Sequence, residues 1–154
     1  MRGPEVGAVR IRDLMRADEA AWRHLWAGYL SFYEATLSQE TTDLTWERVA
    51  GDDPAFGGLV AEDTDGAIVG IANYILHPST WGTMPFCLLN DLYVSPAARG
   101  KGAGRALIDA LIARGRESGW ARVYWVTKEN NATARILYDS YGPADGFVRY
   151  TVKL

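Results

Sequence analysis

Apolar residues recur along the chain with two different periods, and each switch of period marks an element boundary. Ala8 to Arg12 alternates apolar and charged residues, as a half-buried strand does. From Asp18, a good helix-capping type, Trp22, Leu25, Trp26, Tyr29, Leu30 and Tyr33 recur every three or four positions and predict an amphipathic helix. Trp46 and Val49 predict a second short helix after Asp43, closed by Gly51 and Asp52-Asp53-Pro54. Phe56 to Glu62 and Ala67 to Leu76 are rich in aliphatic and β-branched residues. They flank Asp63-Thr64-Asp65-Gly66, whose Asp-Gly pair predicts a hairpin turn. Phe86 to Val94 is apolar enough for a central strand and stops at Ser95-Pro96. A helix follows from Gly102 to Glu117, with Ala103, Leu107, Ala110 and Leu111 on its core face and Ser118-Gly119 as its stop. Val123 to Thr127 reads as a strand parallel to Phe86–Val94, since a crossover helix separates the two. Asn131 opens a last helix with Ala134, Leu137, Tyr138 and Tyr141 on one face, ended by Gly142-Pro143, and Phe147 to Leu154 is expected to close the chain as a strand. The predicted order is β, α, α, β, β, β, α, β, α, β, an α/β fold with a mixed sheet and helices on both faces.

Composition narrows the class. The 154 residues, 48% of them hydrophobic, fit one domain spanning 1–154. The single cysteine, Cys87, excludes a disulfide scaffold and points to a reducing compartment. Met1 to Arg10 lacks the apolar run of a leader, and no stretch approaches a membrane span, so the expectation is a cytoplasmic protein without membrane association. A net charge of -3 offers no field that would draw the protein to nucleic acid, so any anion site must be local. His24 and His77 lack the companions of a zinc site, and no metal is expected.

The chemistry concentrates between the predicted central strand and the helix after it, in Asp91-Leu-Tyr-Val-Ser-Pro-Ala-Ala-Arg-Gly-Lys-Gly-Ala-Gly-Arg105. Gly100, Gly102 and Gly104 strip side chains from the turn that starts a helix, where unpaired N–H groups and the helix dipole favour an anion. Arg99, Lys101 and Arg105 add positive charge around the same point, which suits a pyrophosphate. Neither G-x-G-x-x-G nor G-x-x-x-x-G-K-[ST] is satisfied, which disfavours dinucleotide and nucleoside-triphosphate loops.

Arg99-Gly-Lys-Gly-Ala-Gly104 resembles the Arg/Gln-x-x-Gly-x-Gly/Ala signature of the GNAT superfamily of N-acetyltransferases. Trp125-Val-Thr-Lys-Glu-Asn-Asn-Ala-Thr-Ala-Arg-Ile-Leu-Tyr138 looks like that family's second motif. The likeness is greatest to a branch of small enzymes acting on histones, polyamines and D-amino acids. It implies the acyl-CoA N-acyltransferase fold and acetyl-CoA as co-substrate, seated where the fourth and fifth strands splay apart. Backbone groups of Leu92, Tyr93 and Val94 would pair with the pantetheine arm. Arg99 and the N–H groups of Gly100, Lys101, Gly102, Ala103, Gly104 and Arg105 would hold the pyrophosphate. Asn131 and Ala134 would contact the pantetheine, and Tyr138 would point its hydroxyl at the thioester sulfur.

Acetyl transfer to an amine needs a neutral nucleophile, a polarised carbonyl and a proton for the departing thiolate. Tyr138 is the candidate acid, because a phenol stays protonated at neutral pH. Asp91 is the candidate base, with Glu34 or a water chain as alternatives. Asn90 stands where polyamine enzymes of the resembled branch carry a Glu. Tyr29, Tyr33, Glu34 and Asn90 are candidates to meet the acceptor, since the family brings its first helix over that end of the cleft. The resemblance thus implies direct transfer to a small primary amine, a polyamine or amino acid ranked above a protein lysine. The alternative is a CoA-binding sensor without turnover. The tryptophans and the apolar final strand also suit a homodimer.

Overall fold

The computed structural model describes residues 8–154; the leader reading of Met1 to Arg10 falls largely outside them. Strand β1 (Arg10–Asp13) is followed by helices α1 (Glu19–Phe32) and α2 (Gln39–Ala50), then strands β2 (Phe56–Glu62), β3 (Ile68–His77) and β4 (Phe86–Val94). Helix α3 (Ala103–Ser118), strand β5 (Arg122–Tyr124) and helix α4 (Ala132–Asp139) complete the order. The strands form one sheet in sequence order, β1-β2-β3-β4-β5, antiparallel except for the β4–β5 junction. This is the mixed α/β architecture that the periodicity predicts.

The sheet divides the core into two layers. On one face Leu107, Ile108 and Leu111 of α3 pack on Leu59, Ala72 and Leu89. On the other, Trp22 and Trp26 of α1 and Trp46 of α2 pack on Val60, Ile71 and Tyr93. Trp22 and Trp26 stack with ring centroids 5.2 Å apart, and Trp46 tilts against Trp22 at 5.4 Å. Fully burying side chains of this size is worth roughly 1.5–3 kcal/mol each, which fixes α1 and α2 over the sheet despite their polar outer faces.

Several boundaries differ from the sequence expectation for identifiable reasons. Helix α2 begins well before Asp43, because Ser38 caps it: its hydroxyl accepts the Thr41 N–H at 3.1 Å, and the polar first turns carry no apolar mark. Asp18 stands at the start of α1 but does not cap it. Its carboxylate accepts two bonds from the Arg12 guanidinium, at 2.8 and 2.9 Å, and the Met15 N–H at 2.7 Å. Arg12 also bonds Glu62, so one guanidinium ties the start of α1 to β1 and β2. Strand β5 ends at Tyr124 rather than Thr127. Phe147–Leu154 is not a strand of the sheet, which corrects the predicted last element. Its side chains stand in solvent, with Phe147 89%, Tyr150 91% and Val152 84% exposed.

Candidate active site

The site forms where β4 and β5 part. The two strands pair only from Phe86 to Leu88 on β4, although β4 runs on to Val94. Beyond Leu88, the edge of β4 facing β5 has no strand beside it, and Leu92, Tyr93 and Val94 lie on that stretch. The β4 ladder to β3 also breaks there: Tyr74 pairs with Leu89 and Asn73 with Asp91, leaving Asn90 as an extra residue. This bulge reverses the facing of everything after it. Leu89 faces the α3 layer, whereas Tyr93 faces α1; without the inserted residue the two would share a face.

Asp91 is thereby turned under α1 and is only 7% exposed. Its two carboxylate oxygens accept from amides, Asn73 Nδ2 at 3.2 Å and Asn90 Nδ2 at 3.1 Å. Asn73 in turn accepts the Trp22 indole N–H at 3.1 Å, so α1, β3 and β4 are joined through one buried chain of bonds. No cation pairs with Asp91 among the described residues. Burial, then the charge and hydrogen bond of Asp91, push the Tyr29 hydroxyl far above the usual phenol range. Burial and the same charge raise Tyr33 as well. Gly28 permits the close approach of α1 to β4, since a Cβ there would meet the Tyr93 hydroxyl at 2.7 Å.

Tyr138 reaches the same region from α4. Its ring meets Trp125 edge-on at 5.6 Å, and it lines a narrow cleft with Tyr29, Tyr33, Leu89, Asn90 and Leu92. Burial first, and the nearby Tyr33 second, raise its pKa, so the hydroxyl is a firmly protonated donor near neutrality. Five predicted site residues, Tyr29, Tyr33, Asn90, Leu92 and Tyr138, thus meet in one cleft, with Asp91 behind its wall. Glu34 does not join them. It is exposed at the end of α1, in a left-handed turn with φ 53°, and lines neither this cleft nor the cavity next to it. Asn73 belongs to the site yet escaped the sequence reading, and Trp125, met there only as the head of the second motif, lines the cleft as well. A polar residue inside the apolar run Ile68–His77 was the available signal for Asn73.

The glycine loop opens onto the start of α3. Gly100 and Gly102 have φ of 78° and 86°, and a Cβ on either would meet nothing within 4 Å, so the loop presents bare backbone. Ala103, Gly104 and Arg105 form the first turn of α3, whose N–H groups have no helical acceptor. Arg99 is held in place: its Nε donates to the Val94 carbonyl at 3.1 Å, and its guanidinium lies 5.4 Å from both the Phe32 and Tyr93 rings. Arg105 donates to Ser140 at 2.9 Å and lies over Tyr141, while Lys101 is exposed. Bare amides, a helix start and tethered cations are what a pyrophosphate requires, so these residues fit the group. At α4, Asn131 caps the helix by accepting the Ala134 N–H and donates to Thr127 Oγ1 at 3.1 Å, which orders the turn beside the cleft. Cys87 lies fully buried under α3, its thiol pushed up to about 12 by burial, and takes no part. Among the described residues no cluster of three metal-ligating side chains occurs, and no helix is long and apolar enough to cross a membrane.

Comparison with known proteins agrees with this geometry. Residues 18–142 match the model of the acetyltransferase (GNAT) family. A D-amino-acid N-acetyltransferase of Saccharomyces cerevisiae is 38% identical over 129 residues, covering 83% of this chain and 80% of the relative. The crystal structure of a ribosomal-protein-alanine N-acetyltransferase from Brucella melitensis superposes with a TM-score of 0.78 at 26% identity, over 96% of this chain and all of that one. An aminoglycoside acetyltransferase in complex with a CoA-containing bisubstrate analogue shares the fold with a TM-score of 0.80 at 18% identity, over 96% of this chain and 99% of that one. The family match over most of the chain, together with the 38% identity to a curated acetyltransferase, decides the assignment: the chain belongs to the GNAT acetyltransferases.

Proposed function

We propose that the protein moves the acetyl group of acetyl-CoA directly to the primary amine of a small acceptor, a polyamine or amino acid ahead of a protein lysine. The observation that carries this reading is that Tyr29 borders both the cleft lined by Tyr138 and the cavity lined by Asp91, where β4 leaves β5. Acetyl-CoA supplies an activated acyl carbon and a thiolate leaving group. The amides of Gly100 to Arg105, with Arg99 and Lys101, hold the pyrophosphate. Leu92, Tyr93 and Val94, on the stretch of β4 with no strand beside it, offer backbone to the pantetheine arm, the Val94 carbonyl being already bonded by Arg99. Asn131 and Ala134 fix its far wall.

Asp91 attracts the acceptor ammonium, being a buried anion without a cation of its own. It takes up the ammonium proton, directly or through water, so that a neutral nitrogen forms the new C–N bond. As the C–S bond breaks, the Tyr138 hydroxyl protonates the departing thiolate and regains a proton from water, while the proton left on nitrogen and the one taken by Asp91 pass to water, for a net release of one proton. Asn73 and Asn90 hold the carboxylate in position throughout.

Calorimetric titration with acetyl-CoA, followed by a panel of amines with thiol release monitored, tests the reading. Tight binding with release for one amine class is expected. In Tyr138→Phe, kcat falls about 10²–10⁴-fold while acetyl-CoA affinity holds. Binding without release from any amine favours the sensor reading instead, and unchanged turnover in Tyr138→Phe removes the acid role.

We also propose that the enzyme is a homodimer. Phe147, Val148, Tyr150, Val152 and Leu154 are all exposed on one extended segment with the side-chain period of a strand, while β5 is a three-residue edge. Roughly 1.5–3 kcal/mol per large side chain is gained by covering them, and reciprocal pairing with a second copy supplies such a cover. Sedimentation at twice 17.0 kDa is expected, reverting to the single mass in Tyr150→Asp/Val152→Asp. A wild-type protein sedimenting only as the single mass removes the dimer.

A further inference from the structure

Next to the tyrosine-walled cleft, α1 and α2 roof a larger cavity of about 370 Å³ over the sheet. Tyr29 and Asn90 border both spaces, so the cavity adjoins the cleft through that wall. Its lining carries one negative and one positive side chain, Asp91 of β4 and Arg48 of α2, with Leu30, Val49, Phe56 and Ile75 supplying an apolar surface between them. Neither charge is neutralised by the fold. Asp91 is bonded by amides, as described. Arg12, Arg16 and Arg23 on the same side of the sheet each pair with a carboxylate. Arg48 forms no ion pair among the described residues; its guanidinium instead lies 5.3 Å over the Phe56 ring, which holds it at the cavity.

Strand register sets the separation of the two charges. Asn73 faces Asp91 across one ladder, and Ile75 faces Phe56 across the next. Asn73 and Ile75 are two residues apart on β3, roughly 7 Å, and the Arg48 side chain over Phe56 adds its own offset. A zwitterion held at both ends spans a similar length, two contacts of about 2.9 Å plus roughly 3 Å between its ammonium and carboxylate. A linear polyamine presents the wrong charge to this arrangement, because its second ammonium would face the guanidinium.

We infer that this cavity receives the acceptor and that Arg48 selects amines bearing a carboxylate, namely amino acids with an apolar side chain. The inference rests on the acetyltransferase reading of the cleft. Asp91 takes the ammonium, Arg48 the carboxylate, and the apolar wall the side chain. Because Arg48 is exposed, solvent screens its pair, so the selection is about tenfold to a hundredfold rather than absolute.

The test uses acceptor pairs that differ only in the carboxylate, D- and L-leucine against isoamylamine, with spermidine as the polyamine. Thiol release gives kcat/KM for the wild type, Arg48→Met and Arg48→Lys, and acetyl-CoA affinity is measured alongside. Wild type is expected to prefer at least one leucine enantiomer over isoamylamine and spermidine by about tenfold or more. Arg48→Met is expected to erase that preference through KM, with kcat and acetyl-CoA affinity little changed, and Arg48→Lys to restore part of it. Isoamylamine or spermidine used as well as leucine by the wild type overturns the inference while leaving the acetyltransferase standing. So does a leucine KM untouched by Arg48→Met. Acetyl-CoA binding with no thiol release from any acceptor overturns both.

Discussion

The two halves of the site are built by different means. The cofactor half, from β4 through the glycine loop to α3 and α4, is made of near neighbours in sequence: loop, helix start, capping asparagine and tyrosine all lie between residues 91 and 138. The acceptor half is assembled from elements far apart in the chain. Trp22, Asn73 and Asp91 share one bond chain across separations of 51 and 18 residues, and Arg48 meets Phe56 from the end of α2. Backbone amides and a helix start do the work in the first half, and side chains oriented by packing do it in the second. Substitutions in the cofactor half should therefore act on acetyl-CoA affinity, and those in the acceptor half on the amine.

Asp91→Asn gives the largest expected separation of the two. It removes the charge and keeps the shape, so kcat/KM for the amine should fall about 10²-fold or more while acetyl-CoA binding stays put. Equal losses in both would mean that the halves are mechanically coupled through β4. Asp18→Asn comes next and probes the roof of the acceptor half. The Arg12 guanidinium, chiefly by hydrogen bonding, holds the Asp18 carboxyl below its usual range. This stabilisation is present above the ordinary carboxylate pKa near 4 and is lost as pH falls below it toward the native-state value. Leaving Arg12 half-paired should cost about 3 kcal/mol of stability at pH 7 and flatten the acid limb of the unfolding curve, read by denaturant titration at several pH values. An acid limb of unchanged steepness would remove Asp18 from the account. The smallest effect is expected from Gly102→Val, where a β-branched residue must adopt φ 86°. A strain of about 1–2 kcal/mol should weaken acetyl-CoA roughly tenfold and leave the amine KM nearly unchanged.

The cofactor half was legible in the sequence because each part depends on local rules. Glycine at positive φ, asparagine at a helix start and the parallel crossover are decided within a few residues, and β2 and β4 fall where periodicity placed them. Tyr29 and Tyr33 were also legible as the outer end of the aromatic stripe on α1, and their rings meet at a tilt in the cleft with centroids 4.9 Å apart. Glu34 was not, because its place depends on how α1 ends: the chain turns left-handed there and carries the carboxylate into solvent. Neither was Asn73, whose single polar side chain gains meaning only once Trp22 and Asp91 close around it.

By itself, the sequence determined the order of the elements from β1 to α4, the two core faces and the anion-binding character of the loop after β4, since capping, periodicity and glycine conformation act over one or two turns. Tertiary structure decided which way Asp91 points. Strict alternation would place it on the face of Leu89, and the bulge at Asn90 turns it to α1, a choice made by pairing with β3 that no residue of β4 encodes alone. It also decided the fate of Phe147–Leu154. Alternation marks that segment as a strand, but a strand needs an edge to pair with, and none in the sheet of this chain receives it.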